Sequence, residues 1–487
     1  MISTENFGIV SLQFWEVPLM ILYVMLIAVF FSVQKNKRIR LQPEYRYYLW
    51  GFYAKLVGGM IFTLIYYFYY GGGDTTAYFY SSVPLANLAK QDPIKYMHAL
   101  FATNSWENRN VFFSNETGFP YGFIYIDTMG YFMAKLISPL VILSFGSYLV
   151  TTALVIGITY PGIWKLFQTL ARYYPSIKPR LAFSVLFFPS CLFWGSGILK
   201  DTFTFAAAAW FVHCIDNLFI IKVKRSSSLF GLILTSAILV FLKPYIFMTL
   251  FPACVLWAAF ARVRLIKNSI VRIFVLPSLF LILFAGMFIA MNMMSDSLGQ
   301  FALDKALNTI VIKQDDLKRA QYGSNYFDLG TIEPTWSSVL SKFPEATFAG
   351  MFRPVILESR NPMMLIAGLE NTLMLGMFLY ILYRSRIVHF ITLVRVNPLL
   401  QMCFIFSVGY AFMIGVTTPN FGALVRFKIP MVPLFMSALF ITAHILDVRH
   451  AVQKRGGRFR FEDYTNGEPR NAVLHSRGRR NGRVVQP

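Results

Sequence analysis

The chain has 487 residues, of which 56% are hydrophobic and only 14% charged. A soluble protein of that length needs far more polar surface, so its repeated apolar runs of about 17 or more residues read as membrane spans. The formal net charge of +22 does not point to nucleic acid, because the excess sits in short loops between apolar runs and in the tail, a positive-inside pattern rather than a binding face.

Taken in chain order, the sequence predicts an all-α, polytopic integral membrane protein with about 11 transmembrane helices. They lie near 17–33, 48–69, 139–160, 181–197, 202–221, 229–242, 245–261, 273–294, 363–383, 399–417 and 427–446. Several of these runs are short for a hydrocarbon core of ~30 Å, which predicts broken helices or helices buried within the bundle. The N-terminus carries Glu5 and Glu16 and no basic stretch, unlike a cleaved signal peptide. Cys191, Cys214, Cys254 and Cys403 all fall inside apolar runs and read as small hydrophobes, with neither metal-ligand spacing nor a disulfide framework.

Charge counting sets the orientation. Segment 34–47 holds Lys35, Lys37, Arg38, Arg40 and Arg46 against one acid, and segment 161–180 holds Lys165, Arg172, Lys178 and Arg180 against none. Lys222, Lys224 and Arg225, then Arg262, Arg264, Lys267 and Arg272, then Arg384, Arg386 and Arg395 continue the alternation. The N-terminus is thus expected outside and the C-terminus in the cytoplasm. This works only if 121–137, with Asp127 and Lys135 inside it, is a juxtamembrane or re-entrant helix. Residues 1–449 then form a transmembrane domain with external loops 70–138 and 295–362. Residues 450–487 form a basic, disordered cytoplasmic tail whose cations can lie against anionic lipid headgroups.

Four clusters could carry chemistry. In Gly71-Gly72-Gly73-Asp74-Thr75-Thr76-Ala77-Tyr78 the glycines allow a sharp turn out of the membrane. Asp74 then reads either as a helix cap or as a carboxylate poised at the water–lipid boundary to deprotonate an acceptor or hold a metal. Lys200-Asp201 joins two apolar helices and reads as a solvated hairpin tip or a buried pair, while Lys243 stands at the next turn on the same side, as a snorkelling lysine or a further cation. Arg353 and Glu358 precede a membrane entry, and Glu370 lies about two turns inside the following apolar helix, as a functional group or a structural ion pair. Asn420, Arg426 and Lys428 precede the last span on the side where basic residues are disfavoured, which calls for an anionic partner such as phosphate. No phosphate-cradling Gly-Lys-Ser/Thr loop, zinc-spaced His/Cys set or Gly-x-Ser-x-Gly elbow occurs in the sequence.

Three of these motifs carry a resemblance: Gly73-Asp74-Thr75-Thr76-Ala77-Tyr78; Phe352-Arg353-Pro354 with Glu358 and Leu369-Glu370-Asn371; and Asn420-Phe421-Gly422 with Arg426, Pro430 and Pro433. Together they resemble the type-C, polyprenyl-phosphate-sugar-dependent glycosyltransferases and the multi-span polysaccharide polymerases bordering them. The resemblance implies a bacterial inner-membrane enzyme that moves a sugar from a polyprenyl-phosphate carrier to a glycan or lipid acceptor on the external face. In that superfamily an acid of the first external loop is the catalytic base or a metal ligand, and Asp74 matches it. A divalent metal therefore fits the resemblance, although here an additional helix precedes the loop and no second acid stands beside Asp74. The expected roles are Asp74 and Glu358 as catalytic carboxylates; Arg426, Arg353, Lys200, Lys243 and Lys428 as the carrier-phosphate cations; and Asp201, Glu370 and Asn420 as further candidates. The alternatives are a lipid-linked oligosaccharide polymerase and a transporter or flippase for an anionic lipid-linked sugar.

Overall fold

The computed structural model describes residues 12–263, 303–317, 325–360 and 362–469, with a few positions between 278 and 286. Every regular element among them is a helix, apart from an isolated antiparallel bridge between Tyr326 and Asn420. Among the described residues, eight helices are long and apolar enough to cross a membrane: Glu16–Arg38, Pro43–Phe68, Tyr148–Tyr173, Lys200–Ile220, Arg225–Leu242, Met364–Val396, Pro398–Thr417 and Val432–Lys454. Thr128–Leu143 and Pro244–Phe260 are shorter apolar helices. Along Glu16–Arg38 the side chains of Met25, Leu26, Val29 and Phe30 are each more than half exposed. That face is costly in water and costs nothing against lipid tails.

The difference from the expected 11 spans has local causes. The run 139–160 is cut between helices Thr128–Leu143 and Tyr148–Tyr173, where Phe145 and Gly146 both take positive φ. The stretch read as juxtamembrane at 121–137 is therefore a short turn of helix, Gly122–Ile126, followed by the start of a 16-residue apolar helix. The run 181–197 is cut between Lys178–Leu186 and Pro189–Trp194, because Phe188 is extended before its proline. The last span starts at Val432 rather than 427, and Arg426 sits in a separate short helix, Phe421–Phe427. The span expected at 273–294 lies almost wholly outside the described residues.

The chain forms two compact units. The first comprises Met1–Lys165, Leu186–Trp210 and Ile233–Pro244. In it, helix Asp74–Gln91 packs on Thr128–Leu143 and Tyr48–Phe68 packs on Pro189–Trp194. Tyr78, Phe79, Leu85, Tyr131, Ile137 and Tyr148 belong to its buried core. The Glu16 carboxylate is buried there, accepting from Ser147 Oγ at 2.6 Å beside the start of helix Tyr148–Tyr173.

The second unit comprises Leu166–Val185, Phe211–Leu232 and Tyr245–Pro487. Its tightest seam joins helices Phe343–Phe352 and Pro398–Thr417. A Cβ added to Gly350 would fall on the Ala411 carbonyl, and one added to Gly415 would fall on the Ala346 carbonyl, so the two backbones touch through paired small residues. Gly415→Ala is therefore expected to lower the yield of folded, monodisperse protein several-fold, since a backbone carbonyl cannot step aside. Gly409→Ala on the same helix, where nothing lies within 4 Å, is the control and should keep the yield. Equal yields from the two variants in size-exclusion chromatography would dismiss the seam as a constraint.

The stretch expected to be disordered from 450 continues the last helix to Lys454 and then forms a 3-10 turn, Phe461–Tyr464, with Tyr464 buried. Asn397 donates to the Tyr464 carbonyl at 2.8 Å and to Tyr174 Oη at 2.6 Å. Glu468 accepts from the Ser176 backbone N–H at 3.1 Å and pairs with His444 Nε2 at 3.2 Å. Residues 470–487 of the expected tail lie outside the described residues.

Candidate functional site

The polar residues singled out in the sequence divide between the two units. Asp74, Lys200, Asp201 and Lys243 belong to the first; Arg353, Glu358, Glu370, Asn420, Arg426 and Lys428 belong to the second.

In the first unit, Gly71, Gly72 and Gly73 all adopt positive φ, the turn that their lack of a side chain allows. Gly73, not Asp74, occupies the cap of helix Asp74–Gln91, and its N–H is satisfied by Thr76 Oγ1 at 3.0 Å. The capping role weighed for Asp74 thus belongs to its neighbour. Asp74 is instead the first residue of the helix and is partly exposed. Thr75 fixes this helix start through a 2.8 Å bond with Tyr148 Oη.

One helical turn on from Asp74, the buried Tyr78 ring lies under Lys200, whose Nζ is 5.6 Å from the ring centroid. Asp127 Oδ2 takes one of the three Lys200 donors at 2.8 Å, while its Oδ1 caps helix Thr128–Leu143 through Met129 N–H. Asp127 is 41% exposed and Lys200 14%, so the pair opens toward solvent on the carboxylate side. The next residue, Asp201, is buried and forms an ion pair with buried Lys243. That pair ties the start of helix Lys200–Ile215 to the residue that follows helix Arg225–Leu242. Neither the hairpin-tip reading of Asp201 nor the snorkelling reading of Lys243 describes this arrangement, because both charges are inside the protein.

In the second unit, Arg353 donates through Nε to Glu358 Oε1 at 2.7 Å and also pairs with it through Nη2. Glu358 Oε2 accepts from Val355 N–H at 2.9 Å. The Arg353 guanidinium lies over the rings of Phe327 and Phe421, 5.1 and 5.3 Å from their centroids. Asn420 caps helix Phe421–Phe427 through Ala423 N–H at 3.2 Å. Arg426 is half-buried in that helix, with its guanidinium 5.3 Å from the Phe427 ring. Lys428 is buried, and its three donors reach Arg353 O at 2.7 Å, Met351 O at 3.3 Å and Asn371 Oδ1 at 3.3 Å. Asn371 in turn donates to Pro354 O at 2.8 Å. Burial pushes the Lys428 ammonium down to about 7, while the nearby Glu370 and Glu358 carboxylates act to hold it up. With its protons directed at backbone and amide oxygens, Lys428 braces the Arg353 turn.

No family model, curated protein or solved structure matches this chain. Among the described residues no three His, Cys, Asp or Glu side chains come together as a metal-ligand set, so the residues there do not fit the divalent metal implied by the resemblance.

Three groups were not singled out from sequence. Asp127 is legible only as an acid near a helix start; its pairing with Lys200 is tertiary. Lys55 is a lone cation within an apolar span, visible in the sequence, and it is buried with Nζ donating to the Gly195 carbonyl and to Ser196 Oγ at 3.3 Å. Asp216 is fully buried in a π-helical turn, Asp216–Ile220, and accepts from Arg172 Nη1 and Tyr173 Oη, each at 2.7 Å. In both cases the high average hydropathy of the run outweighed a single charge.

Proposed function

We propose that the protein transfers a glycosyl group from a polyprenyl-phosphate carrier to a hydroxyl acceptor at the membrane boundary, as a step in building an envelope polysaccharide or glycoconjugate. The observation that carries this reading is the juxtaposition, within one unit, of Lys200 with Tyr78 and Asp127, one helical turn from Asp74. It combines a carboxylate able to take a proton with a cation able to meet a phosphate, next to a membrane span.

The step is a single displacement. The acceptor oxygen attacks the anomeric carbon and its proton passes to the Asp74 carboxylate. The bond from the anomeric carbon to the phosphate oxygen breaks, and polyprenyl phosphate leaves with the electron pair. Lys200 stabilises the developing phosphate charge where water is scarce. Asp127 orients Lys200, and the buried Asp201–Lys243 pair fixes the helix start that carries it. Inversion at the anomeric carbon follows from one displacement.

A second reading, carriage of an anionic lipid-linked sugar across the membrane, is favoured by Lys55. It binds the Gly195 carbonyl, freed where the short apolar helix Pro189–Trp194 ends, and carbonyls freed at helix breaks hold cations in transporters with discontinuous helices. Purified protein in lipid vesicles, supplied with polyprenyl-phosphate hexoses and pentoses and extracted envelope glycan, separates the two. Transfer predicts released polyprenyl phosphate and a mass gain on the glycan. Movement of uncleaved carrier between leaflets, with no mass gain, would replace the transferase by the carrier.

A further inference from the structure

Helix Pro362–Val396 starts eight residues before Glu370 and keeps helical backbone angles until Arg386, where φ +56° and ψ 142° break the helix. From 362 to 384 the rise of ~1.5 Å per residue places the two ends ~33 Å apart, a full membrane thickness. The far end is rich in cations. Arg384, Ser385, Arg386, His389, Leu446, Arg449, His450 and Gln453 line a cavity of about 350 Å³, within the range of ~300–1,000 Å³ common for small-ligand sites.

The cavity is built, not incidental. His389 Nδ1–H donates to the Ser385 carbonyl at 3.0 Å, which leaves Nε2 to accept from Arg449 Nη2 at 3.1 Å. The Arg449 guanidinium also lies over the Phe461 ring, 5.3 Å from its centroid. Arg384 is held by Asp447 at 2.5 Å. Arg386, exposed, takes a left-handed φ that a side chain with a Cβ rarely adopts. Three guanidinium groups thus converge on one cavity, and the neighbouring Asp447 offsets one of them. Fixed, forked cations with excess positive charge are what phosphate oxygens require.

We propose that this cavity is a binding site for a phosphate-bearing anion, either the headgroup of an anionic lipid or a free phosphate compound. It lies at the Arg384–His389 end of that helix, whereas Asn371 and Thr372 meet the turn that follows Arg353.

The test uses the full chain in two arms. In detergent, inorganic phosphate is titrated and followed by calorimetry. In nanodiscs, retained phosphatidylglycerol is counted against phosphatidylcholine by native mass spectrometry. Arg449→Gln and Arg386→Gln should each weaken the anion at least ten-fold in the arm that detects it, while Arg458→Gln, an exposed cation that does not line the cavity, should not. Arg386 is exposed, so its variant keeps the test open if Arg449→Gln fails to fold. Phosphate saturation sensitive to Arg386 assigns a free phosphate compound, and Arg386-dependent retention of phosphatidylglycerol alone assigns a lipid headgroup. No binding in either arm, or equal weakening by Arg458→Gln, overturns the site.

Discussion

Asp74→Asn is expected to depress glycosyl transfer by about 10²–10⁴-fold while carrier binding survives. Asparagine keeps the shape and removes the proton acceptor. The variant is informative because the cap of the helix is Gly73 and the helix start is pinned by Thr75 and Thr76. Loss of one charge from the first turn removes about 0.3–1 kcal/mol of dipole interaction, and a thermal melt of the variant checks that the fold persists. The comparison is turnover of carrier-linked sugar against binding of polyprenyl phosphate to the same preparation. Full turnover in a folded Asp74→Asn protein would remove Asp74 as the base and leave Asp127 as the acid to test. A fall that appears equally in carrier binding would mean that Asp74 shapes the site rather than takes the proton.

The second large effect concerns stability. Asp201 and Lys243 are paired inside the first unit. Lys243→Met should destabilise by about 3–5 kcal/mol, because it removes the ion-pair partner of a buried carboxylate. The double variant Asp201→Leu/Lys243→Met removes both charges and should recover most of the loss. Thermal melts of detergent-solubilised protein, with the two single variants and the double, measure the coupling. Additive losses would show that the pair is not coupled. A double variant that folds but has lost carrier binding would give Lys243 a second role, in meeting the carrier phosphate.

Much of the architecture was open to reading from sequence because spans depend on length and apolarity, which are local. Glu16–Arg38, Tyr48–Phe68, Arg225–Leu242 and Pro398–Thr417 lie within a few residues of the expected runs. Where the reading failed, the cause was a backbone break inside a continuous apolar run, at Phe145-Gly146 and at Phe188-Pro189. Average hydropathy does not register such breaks. The site was legible one residue at a time but not in pairs. Lys200 and Asp201 stood out as charges at a turn, yet their partners Asp127 and Lys243 are 73 and 42 residues distant, and no local rule links them. Lys428 stood out for its position against the charge bias. What it serves is three oxygens, two of them backbone carbonyls of the Arg353 turn, which sequence does not display.

The contacts made by the last described residues bear on how the protein is made. Glu468 meets Ser176 across 292 residues of chain, and Tyr464 closes over Asn397. At about 5–20 residues per second, the ribosome spends roughly 15–60 s between synthesising the two sides of that clasp. During that interval Ser176 waits without its final partner, and Asn397, 67 residues before Tyr464, waits about 3–13 s at the same rate. Completion of the second unit therefore waits on the segment that follows the last apolar helix, and a chain stopped before Tyr464 would carry the eight described apolar helices yet lack the fastening.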